Sequence, residues 1–245
     1  MKILICNDDG IESSGLKALA GKLSCNNEIL IIAPDGNRSA CSHSLTVRDS
    51  IKVTKYEKIK NCRAYTISGS PADCVKIAKH VFTDFVPDVV LSGINSGHNL
   101  GSDIMYSGTV AIAYEAAYFG FPAFAFSAFS HDKGDFDEFA RISIEIIEKL
   151  LPLTKSGQIW NVNFPDFGVK IKGNKFTPLG SKVYVDNYVF DENGDYKLFG
   201  VVDDKIDFCD CDVYWNRQGY VTITPLKYDK SDYEILKDIG DKCKI

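Results

Sequence analysis

Residues 2–10, Lys-Ile-Leu-Ile-Cys-Asn-Asp-Asp-Gly, pass from four apolar residues directly into two adjacent carboxylates and a glycine. A short apolar run closed by a turn signal marks a strand buried on both faces, the kind found in the middle of helix-covered parallel sheets. The pattern recurs at 28–33, 88–92, 121–127 and 158–163. Between these runs, Ser14–Leu23 carries Leu16, Leu19, Ala20 and Leu23 at helical spacing, and Asp137–Leu151 repeats that amphipathic pattern. Ser70-Pro71-Ala72-Asp73 reads as a helix start, with Pro in the first turn and an acid near the positive end. Strand alternating with helix predicts an α/β protein whose crossovers are right-handed. Ile51–Tyr56 and Arg63–Ser68 alternate well enough to pair as a hairpin.

Beyond Leu151 the texture thins into short alternating runs. Asp-Glu-Asn-Gly at 191–194 signals a type I′ hairpin, 220–225 a late strand, and 231–239 a short helix. These pieces are too thin for a core of their own. They read as an arm and a terminal helix packed on the main body or on another subunit.

Charge narrows the function. At net −5 and pI about 5.4, the 245-residue chain has no basic field for a nucleic-acid duplex. No apolar stretch reaches the roughly 18 residues of a membrane span. The N-terminus enters a strand without a signal-peptide pattern, so a cytoplasmic location is expected, with its eight cysteines reduced and mostly structural. Cys209-Asp210-Cys211 is too tight for a zinc half-site.

Two carboxylates side by side resist joint ionisation unless a cation sits between them. A turn capping the following helix would need only one of the two. In an open parallel sheet, ligands bind outside the carboxyl ends of the strands at the switch point. Asp8 and Asp9 follow the first strand, Ser39 lies in the long polar loop after the second, and Asn95 follows the strand at 88–92. Two carboxylates, a hydroxyl and an amide oxygen form a hard-oxygen set suited to Mg²⁺ or Mn²⁺. Ser107-Gly108-Thr109 opens a helix rich in small residues and offers free N–H groups and hydroxyls to an anion. A cation beside an anion site points to phosphate-ester hydrolysis. The glycines at 93–101 follow neither the dinucleotide nor the P-loop spacing. Arg38 is open to a phosphate or to a surface carboxylate. His43 and His98 lie in the right loops but read more readily as loop or core histidines.

Several motifs in one order resemble a known family. They are Asn-Asp-Asp-Gly at 7–10, Ala-Pro with Arg38-Ser39, Pro71-Ala72-Asp73-Cys74, Ser92-Gly93-Ile94-Asn95, Ser107-Gly108-Thr109-Val110, Asn161-Val162-Asn163-Phe164-Pro165 and Thr222-Ile223-Thr224-Pro225-Leu226. Together they are similar to the SurE (survival protein E) family of metal-dependent 5′/3′-nucleotidases. The resemblance implies a Rossmann-like catalytic core over 1–165 and a C-terminal extension over 166–245 that is not an independent domain. It implies that the hairpin arm and terminal helix serve oligomerisation, as a homodimer or homotetramer. It places one divalent cation per subunit on Asp8, Asp9, Ser39 and Asn95, with Asp8, Asp9 and Asn95 catalytic and Ser107, Gly108 and Thr109 at the phosphate. The implied activity is hydrolysis of nucleoside 5′- and 3′-monophosphates, with short polyphosphate as a further substrate. The alternative is a nucleotide sensor using the same pocket without turnover. Cys41 and Ser70 depart slightly from the family pattern, and 180–219 match it poorly.

Overall fold

The computed structural model describes residues 1–129, 136–181, 184–202 and 210–242. Its strands are β1 (Lys2–Cys6), β2 (Glu28–Pro34), β3 (Val53–Lys55), β4 (Arg63–Ile67), β5 (Val89–Ser96), β6 (Ala123–Ala128), β7 (Gln158–Asn163), β8 (Asn174–Phe176), β9 (Tyr184–Phe190), β10 (Tyr196–Val202) and β11 (Val221–Lys227). The helices are α1 (Ser14–Leu23), α2 (Pro71–Val81), α3 (Gly108–Tyr118), α4 (Asp137–Leu150), α5 (Asp212–Arg217) and α6 (Tyr233–Lys242).

Nine strands form one mostly parallel sheet in the order β3-β4-β2-β1-β5-β6-β7-β11-β8, and β9 and β10 pair apart from it. β1 lies between β2 and β5, parallel to both. The chain therefore winds outward through β2 and β4 before returning to the other side of β1, which puts the switch point between β1 and β5. Period-two alternation divides β1 between the layers. Ile3 and Ile5 face the core under α1 and α4, while Leu4 and Cys6 face the core under α2 and α3. All four are fully buried, and each such Ile or Leu contributes roughly 1.5–3 kcal/mol by leaving water.

The α/β architecture agrees with the sequence pattern. β3 and β4 form the expected antiparallel hairpin. β11 runs two residues past Pro225, where the sequence suggested a stop. β8 covers β11 only from Val221 to Ile223, so Pro225 and its missing N–H meet an open edge. The turn at 191–194 differs from the expected type I′. Only Gly194 there takes a positive φ, of 84°, and its N–H donates to the Asp191 carbonyl at 3.2 Å. This is a type I turn closed by a left-handed glycine, which needs just one residue at positive φ. Cys6 and Cys74 are buried thiols, Cys211 is buried, and Cys209 and Cys243 lie outside the described residues. Among the described residues, no helix is long and apolar enough to cross a membrane.

Candidate active site

The turn after β1 is built by Asn7, not by either aspartate. Buried Asn7 donates through Nδ2 to the Gly10 carbonyl at 2.9 Å and to Ser13 Oγ at 2.7 Å, and its Oδ1 accepts the Gly10 N–H. Ser13 in turn caps α1 by accepting the Leu16 N–H. Gly10, at φ 97°, runs against the Gly36 backbone, where a Cβ would come within 3.2 Å. With the turn and cap supplied by Asn7 and Ser13, both aspartates are released from structural duty.

Asp8 is buried and Asp9 half-buried. Asp8 Oδ1 accepts the Thr109 hydroxyl at 2.5 Å, and Asp9 Oδ2 accepts the Ser96 N–H at 3.0 Å. Burial pushes the Asp8 carboxyl up to about 6, with the Asp9 charge adding to the rise and the Thr109 bond opposing it. Burial also raises Asp9, against the Ser96 bond. Among the described residues neither carboxylate joins an ion pair. Two desolvated acids without a cationic partner fit a bound metal ion. No third His, Cys, Asp or Glu gathers with them among the described residues, so neutral oxygens would have to complete the coordination of such an ion.

Asn95 is the penultimate residue of β5, just past a bulge that interrupts the pairing with β6 between Ser92 and Asn95. Its Nδ2 donates to the Gly97 carbonyl at 2.9 Å, which leaves Oδ1 for a ligand, and the Asp9–Ser96 bond holds this segment beside Asp9. Ser39 is exposed on the loop after β2. That loop is anchored next to Asp8, because the Arg38 N–H donates to the Asp8 carbonyl at 2.7 Å. The Arg38 side chain turns away and pairs with Asp35 at 3.0 Å.

α3 begins against the carboxylates. Gly108 packs so tightly that a Cβ would lie 2.8 Å from both Cβ and Oδ2 of Asp8 and 3.0 Å from Pro71 Cγ. Ser107 caps the helix by accepting the Val110 N–H at 3.1 Å. The Thr109 O–H is thus committed to Asp8, while the Ser107 oxygen accepts from its own helix and keeps an O–H to donate. What this helix start would offer an anion is backbone N–H, dipole and the Ser107 O–H. His98 donates to the Phe164 carbonyl at 2.9 Å, and His43 contacts Glu115 Oε2 at 3.0 Å.

Behind the rim sits an amide network that sequence reading caught only as an Asn-Val-Asn motif. Asn163 Oδ1 accepts the Asn99 N–H, Asn161 and Asn163 both donate to the Asn99 carbonyl, and Asn99 Nδ2 donates to Ser127. It pins the loop that follows Asn95. Asn7 was missed as well, although an Asn before Asp-Asp-Gly and six residues before a capping Ser is a legible turn signal.

An α/β sheet with a carboxylate pair at its switch point and a helix N-terminus opposite defines a doubly wound protein with its polar rim at the carboxyl ends of the strands. The chain belongs to the SurE family, whose model, described as survival protein SurE, matches residues 3–186. It is 37% identical over 248 residues to the 5′-nucleotidase SurE of Caldanaerobacter subterraneus subsp. tengcongensis, covering 97% of this chain and 96% of that protein. It is 39% identical over 246 residues to the 5′-nucleotidase SurE of Clostridium botulinum strain ATCC 19397, covering 97% of each. The crystal structure of the SurE protein from Aquifex aeolicus superposes with a TM-score of 0.85 at 35% identity, covering 98% of this chain and 99% of that one.

Proposed function

We propose that the protein is a metal-dependent phosphomonoesterase that releases phosphate from nucleoside 5′- and 3′-monophosphates and from short polyphosphate. The observation that carries this is the pair of buried acids, Asp8 and Asp9, without a cationic partner beside the start of α3. The relatives named as 5′-nucleotidases support the choice of substrate.

Asp8, Asp9, Ser39 and Asn95 hold one Mg²⁺ or Mn²⁺ per subunit through oxygen alone, as a hard cation prefers. Such an ion supplies a Lewis acid for the phosphoryl oxygen and lowers the pKa of water. Asp8 is oriented by Thr109 and serves as the anchoring carboxylate. Asp9 has one oxygen fixed by Ser96, and its other oxygen accepts the proton of the attacking water. Asn95 presents Oδ1 while Gly97 fixes its amide. Ser107, Gly108 and Thr109 position the phosphate at the N-terminus of α3, where unpaired N–H groups steady charge on the equatorial oxygens.

Residues 1–165 carry this chemistry, and 166–245 form the extension. Exposed Tyr188, Phe190, Leu198 and Phe199 on the hairpin and Ile235 and Leu236 on α6 support its use in a homodimer or homotetramer. A cytoplasmic site of action fits a nucleotide substrate. The test is phosphate release from a panel of nucleoside monophosphates with Mg²⁺, with Mn²⁺ and with EDTA. Wild type should turn over only with metal, and Asp9→Asn should lose turnover while keeping its fold. Near-normal metal-dependent turnover in Asp9→Asn would rule out the role of Asp9. Tight nucleotide binding with no phosphate released in any condition would make the protein a sensor instead.

A further inference from the structure

The stripe of α3 that faces away from the sheet carries Ser107, Ala111 and Tyr114, spaced i, i+4 and i+7. Ser42 and His43 from the loop after β2, Ile104 and Met105 from the turn before α3, and Lys230 from beyond β11 close around it. They enclose a cavity of about 340 Å³. Its aromatic walls are held in place. The His43 and Tyr114 rings lie 25° from parallel with centroids 6.4 Å apart. The His43 ring is fixed at 3.0 Å by Glu115, a buried carboxylate whose other oxygen lies 2.7 Å from Lys76 Nζ. Ser42 latches the loop to the turn before α3, donating Oγ–H to the Met105 carbonyl at 2.7 Å and N–H to the Tyr106 carbonyl at 3.0 Å. Lys230 Nζ stands 5.1 Å from the Tyr114 ring centroid.

We propose that this slot is the nucleoside subsite, with the base against Tyr114 and His43 and Lys230 at its edge. The assignment rests on the phosphomonoesterase reading, because the slot opens at Ser107, the cap of the helix assigned to the phosphate. A group esterified to a phosphate at that helix start has this cavity beside it, since Ser107 borders both. From Gly108 to Tyr114 the helix advances about 9 Å at its usual rise, which is the reach from phosphate to base in a nucleoside monophosphate. Apart from Ser42, Ser107 and Lys230, the lining is two rings, a thioether, an aliphatic chain and a small alanine, the chemistry of a stacking site for a flat heterocycle. Lys230 offers N–H donors to the acceptor edge of the base. A polyphosphate chain would ask for a row of cations, and among the described residues Lys230 is the one Lys or Arg in the lining.

The test compares a nucleoside monophosphate with glycerol phosphate, an ester without a base. In Tyr114→Ala the ratio of kcat/KM for nucleotide over glycerol phosphate should fall at least about tenfold, through KM, as loss of a base-stacking partner does. Tyr114→Phe should restore the ratio, since it keeps the ring. An equal fall for both esters, or no recovery with Phe, overturns the assignment. A second arm needs no turnover. Adenosine and uridine are titrated into the Asp9→Asn and the Tyr114→Ala proteins and followed by ligand-detected NMR. Binding kept in Asp9→Asn and lost in Tyr114→Ala supports the slot even if wild type releases no phosphate, in which case the hydrolytic reading fails alone. No nucleoside binding in Asp9→Asn, with phosphate still released from glycerol phosphate by wild type, overturns the slot and leaves the phosphomonoesterase standing. Tripolyphosphate binding that depends on Tyr114 and Lys230 while nucleosides bind nowhere overturns it too.

Discussion

Replacing Thr109 by Val removes one hydroxyl from a fully buried position and leaves the side-chain volume almost unchanged. In the wild type that hydroxyl donates to Asp8 Oδ1 at 2.5 Å, and among the forces acting on Asp8 it is the strongest one opposing burial. A hydrogen bond to a charged group contributes about 1.5–3 kcal/mol, and the group left behind keeps its desolvation cost. At roughly 1.4 kcal/mol per factor of ten, the dissociation constant for Mg²⁺ or Mn²⁺ should rise about 10- to 100-fold, the usual range for a partner that orients a metal ligand. The direction follows from orientation and proton competition, because Asp8 without Thr109 is free to rotate away from the site and holds a proton more readily. Titration calorimetry with each metal measures the loss directly, and thermal unfolding in EDTA checks that the fold survives. Thr109→Ser is the control, since it keeps the hydroxyl and should bind metal within a few-fold of wild type. Metal affinity unchanged in Thr109→Val, or lost equally in Thr109→Ser, would refute the claim that this hydroxyl sets up Asp8.

Gly108→Ala places a methyl 2.8 Å from Asp8 and 3.0 Å from Pro71 Cγ, so it should cost about 1–3 kcal/mol in urea unfolding and most of the turnover. Wild-type values for both would show that the helix start can shift. Asp212, fully buried, accepts the N–H groups of Gly101, Gly180 and Val213 at 2.9, 2.7 and 2.8 Å. Asp212→Asn sets an NH₂ against at least one of these donors and should lower stability by about 1–3 kcal/mol, read as a lower Tm. Burial holds the His98 imidazole below its ordinary value, against the pull of Asp166. Because the folded state disfavours protonation, the stability contributed by His98 is complete above the unfolded pKa of 6.5 and is lost as pH falls below it toward the folded value. Wild type should therefore lose more stability than His98→Gln between neutral pH and pH about 5, and parallel pH profiles would refute this. If the hairpin of β9 and β10 serves oligomerisation as proposed, deleting it should give a smaller species than wild type by light scattering while activity per active site changes little; an unchanged size would refute that role.

The elements legible from sequence are those whose residues carry their own reason. β1, β2 and β5 announce themselves because both faces are buried, and α1 and α4 because one face is. α5 and β8 do not. α5 is six residues long and is fixed by Asp212 bonding to Gly101 and Gly180, and β8 is three residues lying along β11. The turn at 191–194 was legible as a turn, but its type depends on which residues reach positive φ. The carboxylate pair and the loops bearing Ser39 and Asn95 could be sorted to one rim by the topology rule for open sheets. What that rule cannot supply is side-chain direction. Thr109 points at Asp8 across 101 residues of sequence, so a helix start that reads as an anion site devotes its Thr hydroxyl to a carboxylate. The slot along α3 needs four separate segments brought together, and no local pattern encodes that.

α3 ties these features into one rigid piece. Glu115 is its single charged residue, which is unusual for a helix at a polar rim. The composition follows from what its sides meet. Thr109, Ile112, Ala113 and Ala116 are fully buried against the sheet, with Thr109 reaching Asp8. Ser107, Ala111 and Tyr114 line the slot. Glu115, between them, grips His43 and Lys76 and so ties down the loop that carries Ser39. A helix is stiff, so the spacing between its N-terminus and Tyr114 is set once, when α3 docks on β5 and β6. If the protein acts on both 5′- and 3′-esters as proposed, whose phosphate-to-base distances differ, discrimination between them would fall to the wall carried on a loop rather than on the helix. That wall is the Ser42–His43 loop, held to the turn before α3 by two hydrogen bonds and to α3 itself by His43. Loosening this latch with Ser42→Ala should change the 5′-to-3′ preference, whereas changes on the sheet-facing side of α3 should lower both activities together.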